Sequence, residues 1–274
     1  MKQRRYPAAK LGPIVVAGAF LLFWWLERRR PLRYAVESPA VRQSRNAAVA
    51  ALAAATVHLV ERPVVEPLAR LAQRRGWGVT ARLGGSEWLR TVAALLLLDY
   101  TLYLWHVLVH RVPAFWRFHV VHHVDRDLDA STAVRFHFGE LAISVPWRAM
   151  QVVAIGVRPA ELKLWQQALL VSILFHHSNV RLPARAERWI SRVVMTPRLH
   201  GIHHSDVEAV RDANWSSGLT IWDWLHGTLS SGPPQPAITI GVEPYHEEED
   251  VSLARILAMP FSRVRRGITA APSR

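Results

Sequence analysis

The chain has 274 residues, half of them hydrophobic, a net charge of +13 and no cysteine. The length suits one or two domains. Without cysteine the chain cannot hold a disulfide, an iron–sulfur cluster, a thiolate-ligated haem or a Cys-type zinc site. Its arginines flank apolar blocks, which is typical of contact with anionic lipid headgroups and argues against nucleic acid as a partner.

The N-terminal region, residues 1–87, is predicted to contain membrane helices and a loop. The apolar run 11–26 predicts a first membrane helix. A signal peptide is disfavoured because no small-residue cleavage site precedes the charged end of this run. An alanine-rich run, 46–60, predicts a second helix that ends at Glu61. Prolines and glycines then predict a loop or re-entrant stretch over 61–87.

The central region, residues 88–230, is predicted to be catalytic. Residues 177–230 are polar and are expected to form a water-facing cap, and 231–274 a tail that packs on it. The turn at Arg158-Pro159 predicts a membrane hairpin. The predicted fold is an all-α, integral-membrane helical bundle with about four membrane helices and a helical cap that carries a histidine-rich dimetal site. Three apolar runs predict membrane helices in this region: 88–109, 141–157 and 162–175.

Histidine clustering is the most informative feature of the sequence, with 14 histidines in 274 residues. Side chains three or four residues apart share a helical face, and neutral imidazole is the commonest metal ligand in proteins. Because one ion needs only about four to six ligands, three such helical faces predict a pair of metal ions. The three histidine boxes are His106-x3-His110, His119-x2-His122-His123 and His200-x2-His203-His204.

Other histidines lie outside these boxes. His137 and His177 are predicted to be further ligands from the same membrane face, and the alternative for each is a hydrogen bond to a carboxylate or carbonyl group. His58, His176 and His226 are interpreted as packed residues without an assigned role, and His246 as exposed. In the third box, Thr196-Pro197 predicts the start of a helix.

Polar residues near the boxes are predicted to hydrogen-bond the ligand imidazoles. Asp99 lies two turns before His106 on an apolar helix, where a carboxylate needs a partner. The alternative for Asp99 is an ion pair with an arginine, and Asn214 is a second candidate for contact with an imidazole. Weaker candidates are Glu140, Asp206, Asp212 and Asp223.

The identity of the metal follows from what the boxes lack. A hydrolytic zinc site typically has H-E-x-x-H, which is absent, and a structural zinc site would leave several histidines unused. The Glu-x-x-His pairs of carboxylate-rich di-iron bundles are also missing. A pair of redox-active iron ions in an imidazole-rich site is therefore favoured.

These segments resemble the fatty acid hydroxylase / sterol desaturase superfamily of integral-membrane di-iron oxygenases. The resemblance covers roughly residues 88–261, and positions 176 and 226 depart from it because both hold histidine. It implies that the box histidines bind iron, joined by His137 and His177. The residues that carry it are Phe115-Trp116-Arg117-Phe118 with the second box, Thr132 to Glu140, Phe175 to Pro183, Thr196 to Ser205, Asn214 to Thr228, Ile240-Gly241 and Pro260-Phe261.

The resemblance also implies a function. A di-iron centre, reduced by a separate reductase, ferredoxin or cytochrome, would use O₂ to hydroxylate or desaturate a lipid drawn from the bilayer. Because such donors are cytosolic, the cap is expected on the cytoplasmic side of the cell (inner) membrane. The alternatives are a non-catalytic metal-binding or metal-transporting membrane protein, an inactive scaffold and a bis-histidine haem protein. The lipid, the electron donor and the oligomeric state stay open.

Overall fold

The apolar blocks of the sequence form long helices. The computed structural model describes residues 8–262, and the regular elements within this range are all helical, which confirms the predicted all-α class. Short 3₁₀ turns connect several of the helices. In the described range the helices α1 to α12 are Ala8–Arg29, Pro39–Thr56, Arg62–Arg75, Glu87–Arg111, Pro113–His123, Phe138–Ile155, Pro159–His177, Ala184–Ile190, Pro197–His203, Glu208–Arg211, Ile221–His226 and Leu253–Ala258.

Three helical segments in the described range are long and apolar enough to cross a membrane, against about four predicted. They are Leu11–Arg29, Pro39–Arg82 and Glu87–Arg111. The two halves of the predicted membrane hairpin form α6 and α7, which have 18 and 19 residues, but neither helix is among the three described segments that are long and apolar enough to cross a membrane. Gly156 ends α6 in a left-handed conformation with φ 84°, and Glu161 caps the first turn of α7 through the backbone of Arg158.

The second helix does not end at Glu61, so the predicted loop over 61–87 is wrong for its first half. A π turn at Val57–Glu61 connects α2 directly to α3. Pro63, which favours a helix end, instead lies just after this π turn, in the first turn of α3. The helix ends where Gly76 adopts a left-handed conformation with φ 64°.

The cap lies where α1, α4 and α7 end. Helix α5 turns away from α4 at Pro113, and apolar side chains of residues 242–259 pack on α5. Helix α9 begins at Thr196, whose hydroxyl accepts a hydrogen bond from Leu199 N, as the sequence predicts. The buried apolar residues shared by α5 and its neighbours are Val49, Trp116, Val120, Val121, Val124, Val242, Tyr245, Val251, Ile256 and Met259.

The segment around α11, which the sequence predicts to be the last part of the water-facing cap, does not lie in the cap. Leu219 N and Trp222 Nε1 donate to Asp99 Oδ2 at 3.0 and 2.7 Å, beside the middle of α4. Asp99 precedes His106 by seven residues, which is about 10 Å along the helix. Helix α11 therefore follows α4 away from the cap, and it leaves Trp224 and Leu225 exposed.

Candidate metal centre

Nine of the ten predicted ligand histidines meet in two buried clusters. In each cluster, one potential ligand atom from every residue lies within 4.8 Å of the others. The rings of His123 and His204 stack 4.2 Å apart, so the clusters are neighbours. The five-histidine cluster consists of His106, His110, His119, His123 and His203, and the four-histidine cluster of His122, His177, His200 and His204.

Both H-x-x-H-H boxes contribute to both clusters. Consecutive residues of a helix point about 100° apart, so His122 and His123 enter different clusters although they are neighbours in sequence. In the third box, His203 and His204 are divided in the same way. The prediction that each box presents its histidines to one side was therefore too simple, because the doubled histidine places one imidazole in each cluster.

Backbone carbonyl groups fix the protonation pattern of several imidazoles. The Nδ1 atoms of His106 and His177 lie 2.6 and 2.8 Å from the carbonyl oxygens of Trp215 and Ile173. A carbonyl oxygen only accepts hydrogen bonds, so Nδ1 carries the proton and Nε2 keeps its lone pair. His203 Nδ1 donates in the same way to Ala213 O at 3.0 Å.

The free Nε2 atoms then face each other. The distance from His203 Nε2 to His106 Nε2 is 3.1 Å, and His177 Nε2 lies 2.9 Å from His122 Nε2 and 3.0 Å from His200 Nε2. Two unprotonated nitrogens cannot hydrogen-bond to each other. His123 is also buried with neither ring nitrogen hydrogen-bonded. Lone pairs that converge in a buried site fit metal ions, and both clusters meet this condition.

Burial also favours the neutral form in which imidazole binds metal. In the cap, burial and then the neighbouring imidazoles lower the pKa of five histidines well below its ordinary value. These side chains are therefore uncharged at neutral pH. The five are His122, His123, His200, His203 and His204.

A carboxylate orients one imidazole of the five-histidine cluster. Glu140, in the first turn of α6, accepts a hydrogen bond from His119 Nδ1 at 2.9 Å. Both side chains are almost fully buried. This contact between a carboxylate and a potential ligand imidazole fixes the ring and leaves Nε2 directed into the cluster. The sequence identified Glu140 only as a weaker candidate.

Asn214 positions the carbonyl groups that hold two of the imidazoles. It adopts a left-handed conformation with φ 57°, and its side-chain amide donates to Leu199 O and Ser230 O, both at 2.9 Å. Its backbone neighbours are the residues whose carbonyl groups accept from His203 and His106. Asn214 thus acts through the loop rather than through direct contact with an imidazole.

Asp223 supports the same loop from the other side. Its carboxylate accepts hydrogen bonds from Trp215 N at 2.8 Å, Ser216 N at 2.9 Å and the Thr228 hydroxyl at 2.6 Å. Asp223 is completely buried. The two side chains together fix the carbonyl of Trp215 against His106.

A buried ion-pair network holds the loop that follows the second box. Asp125 lies 3.0 Å from Arg42 and 3.0 Å from Arg135, and Arg42 also pairs with Asp129. Burial alone would raise the pKa of Asp125, but the two arginines outweigh it and lower the pKa to about 2. The carbonyl of Arg135 lies 3.3 Å from His122 Nδ1, so this network borders the four-histidine cluster.

A cavity of about 600 Å³ opens onto both clusters. Five cluster histidines line it, namely His106, His119, His122, His177 and His200. Much of its remaining wall is apolar and comes from α2, α4, α6 and α7. A cavity of this size suits part of a small or chain-like organic molecule. Apolar wall residues include Ala53, Leu102, Trp105, Phe136, Leu169 and Ile173.

A family comparison agrees with this arrangement. The model of the fatty acid hydroxylase family matches residues 91–228, half of the chain and the part that contains all nine clustered histidines. The chain belongs to the fatty acid hydroxylase family.

The names of several curated relatives of this family member describe enzymes that act on lipids. Ornithine lipid hydroxylase OlsE of Rhizobium tropici is 34% identical over 176 residues, covering 64% of this chain and 51% of the relative. Alkylglycerol monooxygenase of Homo sapiens is 27% identical over 139 residues, covering 51% of this chain and 30% of the relative. Cholesterol 25-hydroxylase of Mus musculus is 28% identical over 145 residues, covering 51% of this chain and 46% of the relative. The chain spans about half or less of each relative's length. No solved structure matches it.

His137 and Asp99, which the sequence predicts to lie at the metal centre, form their hydrogen bonds with other segments. His137 lies at the start of α6, where its Nδ1 accepts from Gly139 N at 2.9 Å and its Nε2 lies 3.2 Å from Leu257 O. Its ring thus belongs to neither cluster. Asp99 bonds the loop before α11 instead of an imidazole or an arginine. That loop comes from a distant part of the chain, so spacing along α4 could not reveal it.

The histidines without a predicted role lie in three different environments. His58 is exposed at the edge of the cavity, and His226 stacks on Tyr103 with ring centroids 5.0 Å apart. His176 is fully buried beside the four-histidine cluster, 4.2 Å from the ring of His200, and neither of its ring nitrogens is hydrogen-bonded. It is nevertheless outside the cluster itself.

Proposed function

We propose that this member of the fatty acid hydroxylase family is a membrane-bound di-iron oxygenase that inserts oxygen into, or desaturates, a lipid. The single observation that carries the proposal is the apolar cavity that reaches both histidine clusters. Its wall suits a hydrocarbon segment, and its inner end exposes the groups that would hold redox-active metal. The names of the relatives favour hydroxylation, because all three describe hydroxylases or monooxygenases.

Imidazole nitrogen is a ligand that suits iron, and several Nε2 atoms of the clusters lie 2.9 to 3.1 Å apart. Zinc has no redox chemistry, so iron fits the proposed reaction better than zinc does. We propose that the five-histidine cluster would hold one ion and the four-histidine cluster the other. Bound there, the two ions would supply redox chemistry toward O₂.

The protein's own residues orient and enclose the reaction. Glu140 and the carbonyl groups of Ala213 and Trp215 hold the imidazoles in one tautomer. Burial of every cluster histidine excludes bulk water from the reacting atoms. Hydroxylation balances as R–H plus O₂, two electrons and two protons giving R–OH and water. Water is thus formed in a dry site and must leave through the cavity or the cap.

The sequence given carries no flavin or nicotinamide fingerprint, so we propose that the electrons come from a separate reductase, ferredoxin or cytochrome that docks on the cap. Because such donors are cytosolic, we propose that the cap lies on the cytoplasmic side of the cell membrane. Within the chain, residues 88–230 form the proposed catalytic region, with 1–87 as the membrane support and 231–274 as the tail on the cap.

A lipid comparison in cells tests the proposal. Cells with and without the chain are grown under air, and their lipids are compared by mass spectrometry. The expected result is a lipid heavier by one oxygen, or lighter by two hydrogens, only in cells with the chain. His122→Ala is expected to abolish this product while the protein still reaches the membrane, and His246→Ala, outside both clusters, to keep it. A chain that binds metal but forms no product would instead be a metal-binding protein without catalysis.

A further inference from the structure

An ion pair between the buried Glu61 and the partly buried Arg148 lines the same cavity at a distance from the histidines. Arg148 Nε of α6 lies 3.2 Å from Glu61 Oε2, and the two side chains are 20% and 4% exposed. Near Arg148, α6 lies beside the middle of α4. Trp147 Nε1 and Gln151 Nε2 of α6 donate hydrogen bonds to Thr101 of α4 at 3.3 and 2.6 Å. Charged groups at such depth are costly and mark functional sites.

The pair keeps unused hydrogen-bonding capacity toward the cavity. A guanidinium has five N–H donors, and the one hydrogen bond that the described residues make with Arg148 runs from Nε to Ser144 Oγ at 3.3 Å. Glu61 offers carboxylate oxygens beside it. A donor and an acceptor side by side match a group that both accepts and donates, such as a hydroxyl, an amide or a zwitterion. A plain hydrocarbon would leave the remaining N–H groups of the guanidinium without an acceptor.

The backbone supports the same interpretation. Glu61 is the last residue of the π turn Val57–Glu61, and it is buried while its neighbours His58 and Arg62 are exposed at the cavity edge. A π turn is rare and is often found at functional sites. Glu61 shares a helical face with Val65 and Ala69 of α3, which are both buried, and it is the residue of this face that carries a charge.

The position of Arg148 on α6 gives an approximate distance between the ion pair and the histidine clusters. Glu140, which bonds His119, and Arg148 are eight residues apart on α6, or about 12 Å along the helix. The Arg148 side chain bends back toward Ser144. A polar group held by the pair would therefore lie within about two helical turns of the histidine clusters.

We infer that Glu61 and Arg148 form a polar-group subsite, so that the chain takes an amphipathic lipid whose oxidised carbon lies within about 12 Å of a hydrogen-bonding polar group. This inference rests on the proposed function, because it takes the cavity as the substrate chamber. The alternative, that the pair only ties α3 to α6, predicts no effect on which molecules enter.

Cysteine labelling tests the subsite directly, because the chain has no cysteine of its own. Ala50→Cys introduces one thiol into the wall of the cavity. The full chain is placed in phospholipid nanodiscs, and the rate of N-ethylmaleimide labelling is measured with equal membrane fractions of 1-dodecanol or n-dodecane. The two probes differ by one hydroxyl, so 1-dodecanol is expected to slow labelling about fivefold more, the effect of one net hydrogen bond.

Two double variants then assign the preference to the pair. Glu61→Gln with Arg148→Met removes both charges at similar volume and is expected to abolish the preference for 1-dodecanol. Glu66→Gln with Arg70→Met removes an exposed pair of the same helix that does not line the cavity, and is expected to keep it.

Equal slowing by both probes in the otherwise unchanged chain would overturn the subsite, and this comparison needs no charge variant to fold. A variant without the two charges that still prefers 1-dodecanol would overturn the subsite as well. Labelling requires neither metal nor turnover. A chain that prefers 1-dodecanol but never oxidises a lipid would refute the proposed function alone, and a chain that oxidises lipid without the preference would refute the subsite alone.

Discussion

Replacement of Glu140 by leucine is expected to weaken metal binding at the five-histidine cluster and to leave the four-histidine cluster unchanged. The carboxylate accepts from His119 Nδ1 at 2.9 Å, and both groups are nearly fully buried. Without it the Nδ1–H loses its acceptor and the ring is free to turn. A hydrogen bond to a charged group contributes about 1.5–3 kcal/mol, so the dissociation constant should rise about 10- to 100-fold.

The conservative variant Glu140→Gln is expected to weaken metal binding less than Glu140→Leu does. Glu140→Gln keeps an oxygen acceptor at the same place without the charge, and charge-assisted hydrogen bonds are about twice as strong as neutral ones. Its effect is therefore expected to be about half of that of Glu140→Leu in free energy, or about 3- to 10-fold. Glu161→Gln, which changes a buried carboxylate at the far end of α7, should leave metal affinity unchanged.

The assay is a competition titration of the purified chain in nanodiscs, in which Fe²⁺ is exchanged anaerobically against a chelator of known affinity. Two binding phases are expected, and only one should shift in Glu140→Leu. If both phases keep their native dissociation constants in this variant, the carboxylate does not orient a ligand, and the assignment of His119 to a metal ion fails with it.

Three further outcomes are expected. Asp125→Ala leaves Arg135 buried without a partner and should lower the free energy of unfolding by about 3–5 kcal/mol; an unchanged thermal midpoint would contradict this. Asn214→Ala places a residue without side-chain hydrogen bonds in a left-handed conformation and should speed metal loss to a chelator, whereas native loss kinetics would exclude its positioning role. Leu225→Cys, on α11, should react with a membrane-impermeant maleimide more slowly than Arg198→Cys in the cap; equal rates would place α11 in water.

Local signals were sufficient for much of the helical architecture. The helix around His106, the break at Pro113 and the start of α9 at Thr196 follow from hydropathy and capping residues alone. The histidine spacing identified eight of the nine side chains that meet in two clusters, and the ninth, His177, was predicted from its place at the end of the apolar run 162–175. Even here the sequence could not assign His122 and His123 to separate clusters, because that depends on how α5 is oriented against α9.

The remaining features depend on contacts between distant segments. Pro63 suggested a helix end, but the π turn before it and packing against α6 extend the helix. Asp99 and His137 have suitable residue types at suitable places, yet other segments supply their partners. The carbonyl groups that orient His106 and His203 have no sequence signature, since every residue has one. The pairing of Asp125 with Arg42 joins residues 83 positions apart.

The presence and position of the metal pair is the central claim, and anomalous diffraction at the iron edge from crystals of the anaerobically purified chain tests it most directly. The expected map has two peaks, one among the Nε2 atoms of the five-histidine cluster and one within the four-histidine cluster. A chain that contains iron but shows a single peak, or peaks away from these nine imidazoles, would contradict the account.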